Sequence, residues 1–192
     1  MITPQTPLLL GSASPRRREL LEAVRVPLRV AAVDVDEAVR DGETPAAYLE
    51  RVVRDKLLAV AAAGRVERCA AVLVADTSVV LDREILGKPA TVDEAEAMVR
   101  RLAGVTHAVL TRYAIASGDA PSVPVVVRTV TTRVSLRRAS ASEIRRYAET
   151  GEGLDKAGAY AVQGIGSYLV ERIEGSYSNV VGLPLCEVVL DL

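Results

Sequence analysis

The chain has little of several residue types on which common catalytic and metal sites depend. It contains one histidine, His107, and two cysteines, Cys69 and Cys186, that lie far apart in the sequence. A single histidine leaves little material for a zinc cluster or for a serine–histidine catalytic triad. Two distant cysteines in apolar surroundings predict buried thiols in a reducing compartment, without a disulfide or a shared ligand.

Long apolar runs and blocks of charge are also missing. No apolar stretch approaches the roughly 20 residues that a membrane-spanning helix needs, and the start of the chain lacks the pattern of a signal peptide. The formal net charge is −1, and the longest basic run is Arg16-Arg17-Arg18, which predicts no basic face for duplex binding. We therefore expect a cytoplasmic protein that binds neither a membrane nor polymeric nucleic acid.

Lysine is scarce, since Lys56, Lys88 and Lys156 are the only lysines among 24 lysine and arginine residues. A lysine that persists in such an arginine-rich chain marks a candidate position for a compact, strongly hydrated charge. Lys88 and Lys156 lie in the phrases Gly87-Lys88-Pro89 and Asp155-Lys156-Ala157-Gly158, where glycine permits close backbone approach to a phosphate. Three solvated lysines without a function are the alternative.

The order of apolar patterns predicts an α/β domain with a mixed sheet. Predicted strands cover residues 8–10, 26–33 and 71–75, with a hairpin over 79–86, and predicted helices begin at Ser14-Pro15, Thr44-Pro45, Val92 and Ser140. Two long β-rich runs, Val105 to Ala116 and Val123 to Leu136, are expected to be antiparallel neighbours. At this length we expect a single domain over residues 1–192.

The phrase Gly11-Ser12-Ala13-Ser14-Pro15-Arg16-Arg17 predicts an anion site at a helix N-terminus. Unpaired N–H groups and the positive end of the helix dipole meet there. Arg16 and Arg17 in the first turn oppose that dipole unless an anion offsets their charge. Ordinary capping with solvated arginines is the alternative.

Two groups of carboxylates are candidates for the chemistry. Asp76, followed by Thr77, ends a predicted buried strand, and ligands of open α/β sheets collect outside the carboxyl ends of strands. Asp34, Asp36 and Glu37 form an acidic loop whose oxygens suit Mg²⁺ together with substrate phosphates. A simple turn residue and a solvated loop are the respective alternatives.

The glycine-rich stretches over residues 155–164 and 175–184 are candidates for close contact with a ligand. Gln163 within the first of them carries both a donor and an acceptor, as the reading of a base edge requires. Neither a Walker-type loop nor a G-x-G-x-x-G fingerprint is present, which excludes P-loop and Rossmann nucleotide sites.

Together these phrases resemble the Maf family of nucleoside triphosphate pyrophosphatases, in family order over nearly the whole chain. The matching phrases are Ser12-Ala13-Ser14-Pro15-Arg16-Arg17, Val35-Asp36-Glu37, Lys56, Ala75-Asp76-Thr77, Gly87-Lys88-Pro89, Thr106-His107-Ala108-Val109, Asp155-Lys156-Ala157-Gly158-Ala159-Tyr160, Gln163-Gly164 and Val180-Val181-Gly182-Leu183-Pro184. The resemblance implies a mixed, partly antiparallel central sheet flanked by helices, with a substrate cleft. It also implies hydrolysis of a nucleoside triphosphate to the monophosphate and pyrophosphate, with Mg²⁺, Mn²⁺ or Co²⁺ as cofactor.

Residue roles follow from the same resemblance. Asp76 is implied as the proton acceptor. From the chemistry of the acidic loop we assign Asp36 and Glu37, together with Asp76, to the metal. Arg16, Arg17, Lys56 and Lys88 are implied to hold phosphates, and Lys56 and Lys88 are counted with Asp76 as catalytic residues. The implied substrate-binding residues are Ser12, Arg16, Arg17, Thr77 and Gln163.

Thr77 and Gln163 match the family branch that acts on dTTP and UTP, whereas the branch that acts on 7-methyl-GTP carries other residues at both places. Two positions depart from the family: Arg112 replaces a usually small residue, and Leu136 stands where an aromatic residue is common. His107 fits the family's phrase and is expected to be structural. The alternative functions are a nucleotide-sensing module that affects cell division through a partner, with little turnover, and a pyrophosphatase for modified nucleotides such as 7-methyl-GTP. A homodimer is left open.

Overall fold

The computed structural model describes all residues from Met1 to Leu192. The strands are β1 (Leu8–Leu10), β2 (Leu28–Val30), β3 (Ala71–Leu81), β4 (Glu84–Leu86), β5 (Thr106–Ser117), β6 (Pro124–Leu136) and β7 (Val170–Glu174). The helices are α1 (Pro15–Ala23), α2 (Pro45–Ala62), α3 (Val92–Leu102), α4 (Ala141–Glu149), α5 (Tyr177–Val181) and α6 (Leu185–Asp191), with 3₁₀ helices at Ala157–Ala159 and Gly164–Leu169.

The seven strands form one mixed sheet in the order β2-β1-β3-β5-β6-β7, with β4 paired to β3. β1 is parallel to both β2 and β3, whereas β4 is antiparallel to β3 and β7 is antiparallel to β6. The predicted α/β class with a partly antiparallel sheet is therefore confirmed. The two long β-rich runs of the sequence are neighbours in this sheet, as expected.

The chain divides into two compact units. Unit 1 comprises Met1–Asp76, Thr111–Val130 and Gly182–Leu192, and unit 2 comprises Thr77–Leu110 and Thr131–Val181. The single domain over residues 1–192 stays a prediction.

The core of unit 1 lies on both faces of β1 and β3. Leu9 and Val72 belong to one apolar cluster, whereas Leu8 and Leu73 belong to another. Because successive side chains of a strand point to opposite faces, strands covered on both sides read as continuous apolar runs. The run Leu8-Leu9-Leu10, with every residue buried, shows this pattern.

The core of unit 2 is one cluster that β-strand residues form with helix residues. It contains Val109 and Val134 from strands, Val99 and Ile144 from helices, and Leu136. Leu136 is buried in this cluster, so the aliphatic residue fills core volume at the position where the resemblance suggests an aromatic one.

The predicted helix starts are confirmed by their caps. The side chain of Ser14 accepts a hydrogen bond from the backbone of the first turn of α1, and Pro15 occupies the first helical position. Thr44 and Pro45 do the same for α2. Ser140 forms a capping box at the start of α4.

Two local predictions are wrong. The strand expected over residues 26–33 is only Leu28–Val30, because β1, its partner, offers no more than three residues to pair with.

Cys69 is buried, but Cys186 is exposed on α6, and both thiols are free. The turn of the short helix points Cys186 outward, so the expectation of two buried thiols fails for it.

None of the helices combines the length and the apolar character needed to cross a membrane.

His107 is buried in unit 2 and forms a hydrogen bond with the hydroxyl of Tyr160, with 2.8 Å between Nε2 and the hydroxyl oxygen. Its Nδ1 has no hydrogen-bond partner. Burial lowers the pKa of His107 from 6.5 to about 4, because the charged imidazolium loses its hydration there. These contacts agree with the structural role expected for His107.

We predict that His107 makes the free energy of unfolding depend on pH between about 6.5 and about 4. In this window the unfolded chain binds a proton at His107 and the folded chain does not, so stability falls as the pH is lowered. A shift of this size corresponds to about 3 kcal/mol once pH 4 is reached. Urea unfolding of the wild type and of His107→Asn across this range measures the effect. Parallel pH dependence in the two proteins would contradict it.

Candidate functional site

Asp76 lies inside β3 and is not the residue after its end. The sequence predicted a strand that stops at Ala75, but β3 continues to Leu81 because its second half pairs with β4. The neighbouring strand β1 does stop: Leu10 pairs with Leu73, and the N–H of Gly11 donates to the carbonyl of Leu73 at 2.8 Å. Asp76 thus extends beyond the carboxyl end of β1, the edge at which a ligand was expected.

Lys56 lies between two carboxylates. Its Nζ is 2.7 Å from Oδ1 of Asp76 and 2.6 Å from Oε1 of Glu37. The side chains of Lys56 and Asp76 are 8% and 9% exposed, whereas Glu37 is 44% exposed. The pairing of the ammonium with two carboxylates offsets the desolvation of the two buried groups, Lys56 and Asp76. The cluster therefore holds a carboxylate and a cation out of bulk water, with one acid that still reaches solvent.

Arg17 is buried and donates to three protein oxygens. Its Nε donates to the carbonyl of Gly182 at 2.8 Å, and its Nη1 donates to the carbonyl of Ala75 at 2.8 Å and to Oγ of Ser12 at 3.2 Å. Burial lowers the pKa of the Arg17 guanidinium, and the charges of Asp76 and Glu37 oppose that effect. Arg17 thus connects the turn after β1 to the backbone just before Asp76.

The turn between β1 and α1 is tightly packed. Ser12 is buried, and its Oγ also accepts a hydrogen bond from the N–H of Ser14 at 3.2 Å. A Cβ atom at Gly11 would lie 2.5 Å from a methyl group of Val60, so only glycine fits there without rearrangement. Arg16, in the first turn of α1, is half-buried.

In unit 2, Lys88 and Gln163 are exposed. Lys88 follows β4, and the carbonyl of its neighbour Gly87 accepts a hydrogen bond from the N–H of Gly158 at 3.1 Å. Gln163 caps the 3₁₀ helix at Gly164–Leu169 with an extended backbone. Thr77 is half-buried in β3.

Lys156 is bound within its own loop. Its Nζ donates to the carbonyl of Glu152 at 2.5 Å and to Oδ1 of Asp155 at 2.6 Å. The lysine therefore stabilises the loop that begins after α4, which distinguishes it from the exposed Lys88.

The family model described as Maf-like protein matches residues 7–192. The chain belongs to the Maf family. Relatives with high similarity include a dTTP/UTP pyrophosphatase of Myxococcus xanthus, 50% identical over 96% of this chain and 90% of that protein. A dTTP/UTP pyrophosphatase of Geobacter sulfurreducens is 50% identical over 96% of this chain and 94% of its own length. A dTTP/UTP pyrophosphatase of Hahella chejuensis is 46% identical over 95% and 89% of the two chains.

Of the three predicted metal ligands of this Maf protein, two contact the same lysine and the third does not. Glu37 and Asp76 meet at the ammonium of Lys56, whereas Oδ1 of Asp36 accepts a hydrogen bond from the N–H of Ala38 at 3.0 Å. No group of three or more histidine, cysteine or acidic side chains is placed to hold a metal ion. Two converging carboxylates nevertheless suit a hard cation that takes one or two of them and completes its shell with phosphate oxygens. The donor set fits such a cation at Glu37 and Asp76.

Sequence reasoning missed the residue of the Maf chain that fixes the acidic loop. Arg51 donates from Nη1 to the carbonyl of Asp36 at 3.0 Å and from Nη2 to the carbonyl of Ala38 at 2.8 Å. Its guanidinium also binds the carboxylate of Glu43 through two hydrogen bonds of 2.7 and 2.8 Å. This pairing lowers the pKa of Glu43 to about 2.

Tyr48 holds Glu37, the residue between Asp36 and Ala38. Its hydroxyl donates to the carbonyl of Glu37 at 3.2 Å, and the guanidinium of Arg51 lies 5.6 Å from the centre of its ring. The backbone that presents Glu37 to Lys56 is thereby fixed from α2. A signal existed in the sequence, because Arg51 interrupts the apolar stripe of α2 beside Val52, and a buried arginine requires partners.

Proposed function

We propose that this Maf protein hydrolyses nucleoside triphosphates, foremost dTTP and UTP, to the nucleoside monophosphate and pyrophosphate. The names of its relatives, at 46–50% identity over nearly the whole chain, support this substrate class. The observation that carries the proposal is the buried cluster in which Asp76 is paired with Lys56 beside Glu37. A protein that only bound nucleotides would have no need of a carboxylate held in this way.

The roles of these side chains follow from the charge changes of the reaction. Water attacks the α-phosphorus, the bond from this phosphorus to the oxygen that bridges it to the β-phosphorus breaks, and pyrophosphate leaves. The carboxylate of Asp76 accepts the proton that the water loses. Negative charge spreads over the phosphate oxygens, and the ammonium of Lys56 stabilises it. Lys88, as an exposed point charge, binds a phosphate group.

A divalent cation, Mg²⁺, Mn²⁺ or Co²⁺, belongs to the proposal. Glu37 and Asp76 are the residues that would hold it, and Asp36 would contribute through the loop that it shares with Glu37. When bound, such a cation offsets phosphate charge and polarises the attacking water. Arg51 and Tyr48 serve the same end, because they keep Glu37 directed at the cluster.

Ser12, Arg16, Arg17, Thr77 and Gln163 complete the proposal as substrate-binding residues. The carboxamide of Gln163 offers a donor and an acceptor, which matches the adjacent acceptor and donor of uracil and thymine. Arg17 supports substrate binding by holding the turn between β1 and α1 in place, since its guanidinium donates to protein oxygens. The reaction would take place in the cytoplasm, where these nucleotides are made and used.

The test is pyrophosphate release by the wild type from dTTP, UTP, CTP, GTP and 7-methyl-GTP, with Mg²⁺ or Mn²⁺ and with a chelator. We expect pyrophosphate and monophosphate as the products and a preference for dTTP and UTP of roughly tenfold or more. Tight nucleotide binding without turnover would contradict the enzyme and support a nucleotide-sensing module. A preference for 7-methyl-GTP would contradict the roles given to Thr77 and Gln163.

We predict that Lys88→Arg lowers kcat/KM for dTTP about tenfold although the charge is kept. The broad, flat guanidinium cannot replace a compact ammonium next to Gly87 and Pro89. Arg101→Lys, an exchange in the opposite direction on the exposed face of α3, is the control and should leave kcat/KM unchanged. Steady-state kinetics with both variants measure the effect, and unchanged kinetics for Lys88→Arg would refute it.

A further inference from the structure

One carboxylate fixes the backbone on the C-terminal side of Gln163. Oε1 of Glu152 accepts a hydrogen bond from the N–H of Ile165 at 2.8 Å, and Oε2 accepts one from the N–H of Gly166 at 2.7 Å. These donors belong to the first turn of the 3₁₀ helix at Gly164–Leu169, where N–H groups have no partner within the helix. Glu152 thus caps, from a distance in the sequence, the helix that directly follows Gln163.

Tyr147 extends the same connection to the N-terminal side of Gln163. Its hydroxyl donates to Oε2 of Glu152 at 3.1 Å and accepts a hydrogen bond from the N–H of Ala161 at 3.0 Å. Tyr147 is buried in the core of unit 2 on α4. The backbone is therefore held at Ala161 and again at Ile165 and Gly166, with Gln163 between these points.

Glu152 is itself held in place, which makes it an effective anchor. Its N–H donates to Oγ1 of Thr150 at 3.2 Å, and its carbonyl accepts the hydrogen bond from Lys156 at 2.5 Å. The hydroxyl of Thr150 in turn donates to the carbonyl of Tyr147 at 2.6 Å. The carboxylate therefore extends from a turn that is tied to the end of α4.

The turn at Gly164 fits against Glu152 without spare room. Gly164 has a φ of +70°, in the region that residues with a side chain rarely adopt. A Cβ atom at this position would lie 2.2 Å from Oε1 of Glu152. The glycine and the carboxylate thus determine together where the backbone of Gln163 runs.

We propose that Glu152 is a positioning residue for base selection, which acts by fixing the turn that presents Gln163. This inference rests on the proposed function. Gln163 is exposed, so the direction of its carboxamide depends on the backbone that carries it. A fixed turn keeps the carboxamide at one place, where its donor and acceptor can meet the adjacent acceptor and donor of uracil and thymine. Cytosine presents the opposite order at the same edge, so a loosened turn would discriminate less between the two bases.

The test compares the kinetics of Glu152→Gln on UTP and on CTP with those of the wild type. The carboxamide that this variant carries at position 152 has one accepting oxygen, so one of the N–H groups of Ile165 and Gly166 loses its partner. We expect the ratio of kcat/KM for UTP to that for CTP to fall roughly tenfold, mainly through a higher KM for UTP, with kcat changed less than about threefold. Faster amide hydrogen exchange at Ile165 and Gly166 should accompany this loss of selectivity.

A double variant separates positioning from a general effect on the fold. If Glu152 acts through Gln163, then Glu152→Gln combined with Gln163→Ala should show the same UTP to CTP ratio as Gln163→Ala alone. Additive losses, or a Glu152→Gln variant as selective as the wild type, would overturn the inference. Glu149→Gln is the matched control, because this exposed residue of α4 pairs only with Arg145, and its selectivity should stay unchanged.

Tyr147→Phe keeps the inference testable if Glu152→Gln does not fold. It removes the hydroxyl that joins Glu152 to Ala161 and should shift the UTP to CTP ratio in the same direction. An unshifted ratio in a folded Tyr147→Phe protein would overturn the inference. A wild type that hydrolyses neither UTP nor dTTP would overturn the proposed function before any variant is compared.

Discussion

Replacing Asp76 by asparagine is expected to lower kcat for dTTP and UTP by about a thousandfold, the size of effect that removal of a general base produces. The carboxamide has nearly the shape of the carboxylate but cannot accept the proton of the attacking water. Its oxygen can still accept a hydrogen bond from Lys56, so the buried ammonium keeps two partners. We therefore expect the variant to fold normally and, because Glu37 still offers a carboxylate to the cation, to bind nucleotide with little change in affinity.

Pyrophosphate release measures the loss of kcat, and titration with a nucleotide measures the binding. Asp55→Asn is the control, because Asp55 is the residue before Lys56 on α2 and pairs at the surface with Arg54. It should keep the kcat of the wild type. A loss of less than tenfold in Asp76→Asn would show that another group accepts the proton.

Arg17→Lys is expected to destabilise the protein by about 3 kcal/mol, although it keeps the positive charge. The guanidinium binds Gly182, Ala75 and Ser12 in a fixed planar geometry, and an ammonium on a shorter stem cannot reach all three. At least one buried acceptor then loses its hydrogen bond, and the charge stays buried with fewer partners. Because Ala75 precedes Asp76, kcat should fall as well.

Unfolding in urea measures the change in stability, with Arg18→Lys as the control in the same helix. Arg18 is exposed and pairs with Glu22, and such surface pairs contribute little, so this variant should unfold at the same urea concentration as the wild type. If Arg17→Lys were as stable as Arg18→Lys but bound nucleotide poorly, Arg17 would bind phosphate directly and would not act by holding the turn in place.

The features that the sequence predicted well are those with local causes. The starts of α1 and α2 depend on a capping hydroxyl and the proline that follows it, and both signals lie within two residues. The strand Leu8-Leu9-Leu10 is recognisable because both of its faces are covered by apolar residues. The phosphate contact of Lys88, which is exposed in the structure, stays a prediction.

The features that were not predicted depend on contacts between distant segments. Arg17 meets Ala75 and Gly182 across sequence separations of 58 and 165 residues. The sequence therefore showed a cation in an unfavourable first turn but not the carbonyls that offset it. Asp76 was expected after a strand because the apolar run over residues 71–75 and the hairpin over 79–86 were predicted as separate elements, whereas β3 passes through both. Arg51 was overlooked because its two carbonyl partners belong to a loop with no regular pattern.

The two cysteines offer a practical consequence for experiments in solution. Since Cys69 is buried and Cys186 is exposed, a maleimide dye added to the folded wild type should attach at one position on α6. No cysteine would have to be removed first, so the labelled molecule keeps its natural core. Fluorescence from that single reporter could then follow unfolding or nucleotide binding without any engineered substitution.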